Sequence, residues 1–293
     1  MPYPDALRGQ IEAYLVNLRF SQEPLADRLV ESMQYSLLAG GKRIRPVLAL
    51  ATARAIGRDE RELLPLAAAI ELIHTYSLIH DDLPAMDDDS LRRGQPTNHV
   101  KFGEDVAILA GDGLYAEAFR HVLTQQRGDP RHILAAVGEL AAATGVDGMV
   151  GGQYLDVAGS GDDEPEAARR LRRTHELKTG RLIGASVECV LLIAGMSGPQ
   201  TTDYRDYAAE LGVLFQIVDD ILDVTGTDAA LGKPQGSDER QGTRTYVTEF
   251  GLQGARDLAA RSHEHARASL AAAAPDGAPE LEQITDFIAT RTS

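Results

Sequence analysis

Apolar residues return every three or four positions through the long segments of this chain, and that rhythm excludes most folds. In "ERELLPLAAAIELIHTYSLIH", Glu60 to His80, and in "EDVAILAGDGLYAEAFRHVL", Glu104 to Leu123, the repeat is that of a helix with a buried face. It recurs in "PDALRGQIEAYLVNL", "ADRLVESMQYSLLA", "EAARRLRRTHELKTGRLIGASVECVLLIAG", "DYRDYAAELGVLFQIVDDILDV" and two final segments near 251–273 and 278–291. Only "RTYVTEF", near 244–250, passes for a strand, and one strand makes no sheet. Breaks of glycine, proline and acid, such as Gly40-Gly41, Gly128 to Pro130, "GSGDDEP" and "GKPQGSD", are too short to link domains. The expectation is all-α: a single domain over residues 1–293, a bundle of ten or more helices.

Charge narrows the partners. With 29 basic residues against 44 acidic ones and a net charge of -15, the chain lacks the cationic surface that nucleic acid requires, so an anionic substrate must be held locally. The single cysteine, Cys189, lies in the apolar "VECVLLIAG"; it excludes an intrachain disulfide and reads as a core thiol. No run approaches the roughly 18 apolar residues of a membrane helix, and "MPYPDALRGQ" lacks the plan of a signal peptide. The expectation is a soluble, cytoplasmic protein without membrane insertion.

Two acidic clusters interrupt the helices. "LIHDDLPAMDDDSLRRG" gathers Asp81, Asp82, Asp87, Asp88 and Asp89, which repel one another unless hydrated or neutralised. An unbroken helix would set Asp81 and Asp87 about 120° apart, but Pro84 cannot continue the ladder, and a bend there brings the two carboxylates together. In "FQIVDDILD", Asp219 and Asp223 share a helix face with Gln216 and Phe215, while Asp220 points elsewhere. A solvated, capping-rich loop is the plain alternative for the first cluster and the better reading of Asp88 and Asp89. Taken together, facing carboxylates suit magnesium, which takes one or two carboxylates plus substrate phosphates, and no Cys/His set competes for zinc.

Cations recur beside glycine breaks or beside the aspartates: Lys42, Arg43 and Arg45 in "GGKRIRP", then Arg92 and Arg93, Lys178 in "KTG" and Lys233 in "GK". A glycine break followed by three cations suits phosphate, although it lacks the P-loop pattern. Each has a plainer reading: Arg92 and Arg93 as counter-ions to the nearby aspartates, Lys178 and Arg43 as exposed side chains. His74 shares a helix face with Ser77 and Asp81 and can reach the same space.

These motifs, in this order from about Ser36 to Tyr246, resemble the trans-isoprenyl diphosphate synthases, the polyprenyl synthetase family: "GGKRIRP", "HTYSLIHDDLPAMDDDSLRRGQPTNH", "FGEDVAILAGDGL", "GGQYLDV", "HELKTG", "LGVLFQIVDDILD" and "LGKPQGSD". The resemblance implies an all-α bundle around a deep central cavity, often a homodimer. It implies that Asp81 and Asp87 hold two Mg²⁺ ions and Asp219 a third, with Asp223 acting through water. The ions would clamp an allylic diphosphate, helped by Arg92, Lys178 and Lys233. Lys42, Arg45, His74 and Arg93 would hold the second diphosphate, that of isopentenyl diphosphate. Thr179 and Gln216 would aim oxygen dipoles at an allylic cation. The implied reaction is head-to-tail condensation.

The resemblance also puts a chain-length gate at Tyr76 and Ser77, and a tyrosine there is similar to bacterial farnesyl diphosphate synthases. The helical wheel sets Tyr76 about 140° from Asp81, so this expectation rests on resemblance alone. Geranylgeranyl diphosphate synthase is the alternative product assignment. A departure stands at "GTRTY", where Thr243 occupies a position at which the family has lysine; weaker allylic-substrate affinity is expected unless Arg244 substitutes. A class I terpene cyclase needs no second diphosphate site and more aromatics than the 5% present. A metal-dependent phosphohydrolase would need further histidine ligands, a non-catalytic subunit would not need both acidic motifs, and an EF-hand would need alternating ligands and a glycine.

Overall fold

The computed structural model describes residues 3–158, 164–226 and 244–291. In chain order the helices are α1 (Asp5–Val16), α2 (Asp27–Leu37), α3 (Ile44–Ala55), α4 (Leu64–Asp81), α5 (Asn98–Phe102), α6 (Glu104–Gln125), α7 (Pro130–Thr144), α8 (Met149–Val157), α9 (Glu164–His175), α10 (Arg181–Ala194), α11 (Pro199–Thr225), α12 (Tyr246–Ala273) and α13 (Pro279–Thr290). The fold is all-α and exceeds ten helices. Among the described residues the strands are β1 (Leu91–Arg92) and β2 (Gln95–Pro96), an antiparallel hairpin after the first acidic cluster. Its turn runs through Arg93 (φ 53°) and Gly94 (φ 73°), the pair of left-handed residues that a two-residue hairpin prefers.

Several boundaries differ from expectation. "RTYVTEF" is no strand: Thr245 caps α12, its hydroxyl accepting from Thr248 N–H while the Thr248 hydroxyl accepts from Thr245 N–H. The β-branched residues that suggested a strand form a reciprocal cap instead. The stretch read as one helix into the 190s is α9, a π turn (Glu176–Gly180) and α10. Gly128 to Pro130 is a helix start, with Pro130 in the first turn and the Asp129 carboxylate accepting from Arg131 N–H at 2.8 Å.

Helix α4 is buried nearly all round, from Leu66 through Ile73, and packs along α6 and α3. Glu71, near its middle, is buried too, and a buried carboxylate needs a cation. Arg43 supplies it, donating to Glu71 at 2.6 Å, to Glu12 at 2.7 Å and to the Leu37 carbonyl at 2.7 Å. Arg43 is therefore not an exposed side chain. Cys189 is a core thiol as expected, its Sγ 3.4 Å from the Ala136 carbonyl and its pKa driven up by burial.

The expectation that no stretch is long and apolar enough to span a membrane is corrected. Glu60–Asp81 (22 residues, mean hydropathy 1.3) and Pro130–Val157 (28 residues, 1.5) both reach that length and hydropathy. The first owes its hydropathy to its place in the core, where 67% of its most apolar stretch is buried.

Candidate active site

Helix α4 stops at Asp81, and the turn through Leu83 and Pro84 folds the chain back until Asp87 N–H donates to the Asp81 carbonyl at 2.9 Å. The proline bend thus does what its position in the sequence requires. Burial raises the Asp81 carboxyl to about 6; Asp87 adds to the shift and the Lys178 ammonium opposes it. Asp87 is raised as well, by burial and by Asp89 and Asp156, against the pull of Lys178 and Arg92. Two neighbouring carboxylates that resist ionisation invite a cation. Asp88 is exposed with φ 53°, as a loop residue should be, whereas half-buried Asp89 lies 3.5 Å from Arg92.

Arg92 also binds Asp82, through Nε at 2.6 Å and Nη2 at 2.5 Å, so its counter-ion reading holds while it still faces the cavity. Arg93, which lines the same cavity, donates to the Gly40 carbonyl. A Cβ on Gly41 would meet the Arg93 guanidinium at 2.8 Å, which explains the second glycine of "GGKRIRP". Arg45 places its guanidinium 5.7 Å from the Phe215 ring centroid, and its buried Nε has no partner among the described residues. Burial pulls Arg45 down to about 10. Burial, then Arg45 and Arg93, hold His74 well below its usual range, so it is neutral near pH 7. Lys42 does not line the cavity; it is exposed, with Nζ 5.3 Å from the Phe287 ring centroid on α13.

The π turn supplies the opposite wall, and a π turn in an otherwise α-helical run is frequent at functional sites. Lys178 donates to Asp156 of α8 at 2.6 Å. A Cβ on Gly152 would lie 2.2 Å from Lys178 N, so glycine lets α8 press against the turn. Thr179 donates to Gln216 Oε1 at 2.9 Å, Gln216 Nε2 donates to Asp220 at 2.8 Å, and Tyr246 N–H donates to Asp220 at 2.7 Å. Asp220 does not line the cavity, but it anchors Gln216, which does, and the start of α12. Asp219 is exposed and paired with Arg291, while Asp223, on the same helical stripe, is buried.

These walls enclose a cavity of about 630 Å³. It brings together Asp81, Asp219, Arg45, Arg92, Arg93 and Lys178. His74, Thr179, Gln216, Tyr76 and Ser77 share the same lining, and Ser77 donates to the His74 carbonyl. Lys233 and Thr243 lie outside the described residues. A second cavity of about 540 Å³ lies beyond the π turn, but its Arg181, Arg205, Arg172 and Arg173 are paired with Glu139, Glu188 and Glu176 of the same lining, and no aspartate lines it. The first cavity alone of the two has the chemistry for a diphosphate and its metal. Among the described residues no three Asp, Glu, His or Cys side chains close on one point.

The polyprenyl synthetase family model matches residues 26–275. The chain belongs to that family. Its relatives include a farnesyl diphosphate synthase of Geobacillus stearothermophilus, 47% identical over 90% of this chain and 89% of that one. A heterodimeric geranylgeranyl pyrophosphate synthase large subunit of Arabidopsis thaliana is 44% identical over 92% of this chain and 73% of the other. Among solved structures, a geranyltransferase from Helicobacter pylori, complexed with magnesium and isoprenyl diphosphate, superposes with a TM-score of 0.85 at 30% identity, covering 98% and 97% of the two chains. In this polyprenyl synthetase, three participants were missed by sequence reasoning: Asp156 as partner of Lys178, Asp220 as anchor of Gln216, and Arg291. Asp156 and Arg291 act through contacts distant in the chain, whereas Asp220 meets Gln216 one turn away on α11. Only the apolar surroundings of Asp220, in "FQIVDDILD", could have flagged it as a buried acid seeking partners.

Proposed function

We propose that this polyprenyl synthetase condenses isopentenyl diphosphate with dimethylallyl or geranyl diphosphate, head to tail, to give farnesyl diphosphate and free diphosphate. The observation that carries the reading is one cavity lined by Asp81 and Asp219 from the two acidic clusters, by Arg45, Arg92, Arg93 and Lys178, and by the buried ring of Tyr76. The assignment is supported by the farnesyl diphosphate synthase relative, of which the chain covers the larger share.

Asp81, Asp87 and Asp219 fit hard divalent cations, and they would hold Mg²⁺, three ions with the allylic diphosphate present. Those ions would supply the positive charge that stabilises the departing diphosphate. Arg92 and Lys178 would add fixed charge on the leaving side, each now held ready by a carboxylate, Asp82 and Asp156. Arg45 and Arg93 would bind the isopentenyl diphosphate, and Lys42 would join them only by leaving its place over the Phe287 ring. His74, neutral, would donate a hydrogen bond there. As the allylic C–O bond breaks, its electron pair leaves with diphosphate. The isopentenyl double bond forms the new C–C bond, and a proton passes to the released diphosphate. Thr179 donates its hydroxyl hydrogen to Gln216, which leaves its own lone pairs free to face the cation.

Tyr76 would close the tail pocket at fifteen carbons. A homodimer is part of the proposal: Ile108, Leu109 and Leu123 of α6 and Val150 and Tyr154 of α8 are exposed apolar residues that a second copy would cover. A cytoplasmic, non-inserted protein is the companion reading, supported by the burial of α4. The test is a product profile from labelled isopentenyl diphosphate with dimethylallyl diphosphate and Mg²⁺. The expected product is chiefly C15, moving longer in Tyr76→Ala; chiefly C20 from the parent would replace the product assignment with geranylgeranyl diphosphate.

A further inference from the structure

Helix α9 concentrates positive charge in a chain where acids prevail, 44 against 29 basic residues. Its "RRLRR", Arg169 to Arg173, sets four arginines around one leucine. Leu171 and Thr174 are buried, so those positions pack inward. Arg169, Arg172 and Arg173 fall three and four residues apart on one stripe, and Glu176 continues it. With Arg170 and with Leu155 of α8 they line a third cavity, a cleft of about 480 Å³. It abuts the cavity beyond the π turn, with which it shares Arg172, Arg173 and Glu176. None of its six lining residues lines the active-site cavity.

The acids of this cleft do not match its cations. Glu176 is the one carboxylate in the lining, and it is shared: Arg172 Nε lies 3.2 Å from one oxygen and Arg173 Nη1 3.4 Å from the other. Both arginine side chains are more than half exposed, and pairs of this length and exposure contribute little. Arg170 donates to a neutral acceptor, the Leu155 carbonyl, at 3.3 Å. Cations in the last turn of a helix offset its dipole, which accounts for Arg172 and Arg173 but not for the two arginines before them. Surplus positive charge in a concave place suits an anion with several oxygens.

We propose that the α9 cleft is a second anion site, apart from the active site, and that it takes a diphosphate group, either free inorganic diphosphate or the head of a prenyl diphosphate. Each guanidinium offers a planar fork of N–H donors that grips phosphate oxygens in pairs. A single phosphate leaves part of the stripe unengaged, whereas a diphosphate reaches from one fork to the next. On binding, Arg172 and Arg173 leave Glu176 for phosphate oxygens. The arginines line a concavity, which favours a small polyanion over a flat lipid surface. The inference goes beyond the reaction proposed above and survives its failure, because the two cavities share no residue.

The test is calorimetric titration of inorganic diphosphate, with chelator present, into the parent, Arg172→Gln/Arg173→Gln and Glu176→Gln, each checked for thermal melting. The parent is expected to take up one more diphosphate per chain than the double variant. Glu176→Gln, which removes the competing carboxylate, should bind that diphosphate about two- to fivefold more tightly. Sulfate should bind there at least about tenfold more weakly than diphosphate. Geranyl diphosphate, titrated in the same way, separates the two sources: binding tighter than that of inorganic diphosphate assigns the cleft to a prenyl diphosphate, and equal or weaker binding assigns it to the free anion. Equal uptake by the parent and the double variant, weaker binding in Glu176→Gln, or sulfate held as well as diphosphate would overturn the proposal. Parent protein that binds phosphatidylglycerol vesicles but takes up no extra diphosphate would overturn it too, and would make α9 a membrane-facing surface.

Discussion

Arg291 Nη2 lies 3.1 Å from Asp219 Oδ1, so the last described residue of the chain sits as a cation on one of the carboxylates suited to magnesium. The guanidinium is held there by the Phe215 carbonyl at 3.2 Å and by the Phe215 ring, 4.2 Å from its centroid. A metal ion at Asp219 must displace this contact. Because Asp219 is more than half exposed, the pair contributes only about 0.2–1 kcal/mol. Arg291→Gln is therefore expected to tighten Mn²⁺ binding to the substrate-free protein about two- to fivefold, read by electron paramagnetic resonance. Unchanged or weaker binding would make the contact incidental.

Arg43 holds the junction between Lys42 and the first turn of α3, which carries Arg45. It does so from a left-handed backbone conformation, φ 55°, with one guanidinium serving Glu71, Glu12 and the Leu37 carbonyl. Arg43→Leu strands Glu71 in the core and is expected to cost about 3–5 kcal/mol in denaturant unfolding. Arg43→Lys should recover part of this, since an ammonium cannot span three acceptors in the same fork. A leucine variant within about 0.5 kcal/mol of the parent would show that the network contributes little.

Burial presses His175 down to about 4 from an ordinary 6.5. The unfolded chain takes up a proton near 6.5 and the folded chain does not until about 4, so this stabilisation is complete above 6.5 and is lost as pH falls toward 4. From pH 7.5 to 5 the loss from this group is roughly 2 kcal/mol. Asp81, raised to about 6, works in the opposite sense, because its protonation on acidification favours the folded state. The informative quantity is thus the difference between parent and His175→Gln, with the variant losing less stability over that range. Parallel losses would mean that His175 titrates normally in the folded protein.

The 3.6-residue rhythm disclosed α4 although it is buried nearly all round, because its apolar run is long; the shorter α3, buried from Pro46 through Ala53, shows no stripe to read and escaped notice. Helices α7 and α8 escaped notice too, although α7 buries Ile133, Ala136, Leu140 and Ala143 on one stripe. Asp81 and Asp87 were legible because Pro84 forces a bend, a purely local effect. Tyr76 was not placed by the helical wheel, because the wheel measures direction from Asp81 and the cavity wraps α4 widely enough to be lined by His74, Tyr76, Ser77 and His80. The roles of Asp156 and Arg291 depend on partners 22 and 72 residues away, and spacing along one helix carries no trace of them; Asp220 meets Gln216 four residues away on α11, and only its bond from Tyr246 N–H, 26 residues on, is invisible to that spacing.

The most direct measurement is the rate of labelled isopentenyl diphosphate incorporation, with Mg²⁺ titrated, in the parent and in Asp81→Ala and Asp219→Ala. The account predicts saturation with Mg²⁺ in the parent, abolition by chelator, and a loss of at least about a hundredfold in each variant. Variants that couple five-carbon units as fast as the parent, or a parent indifferent to chelator, would contradict it.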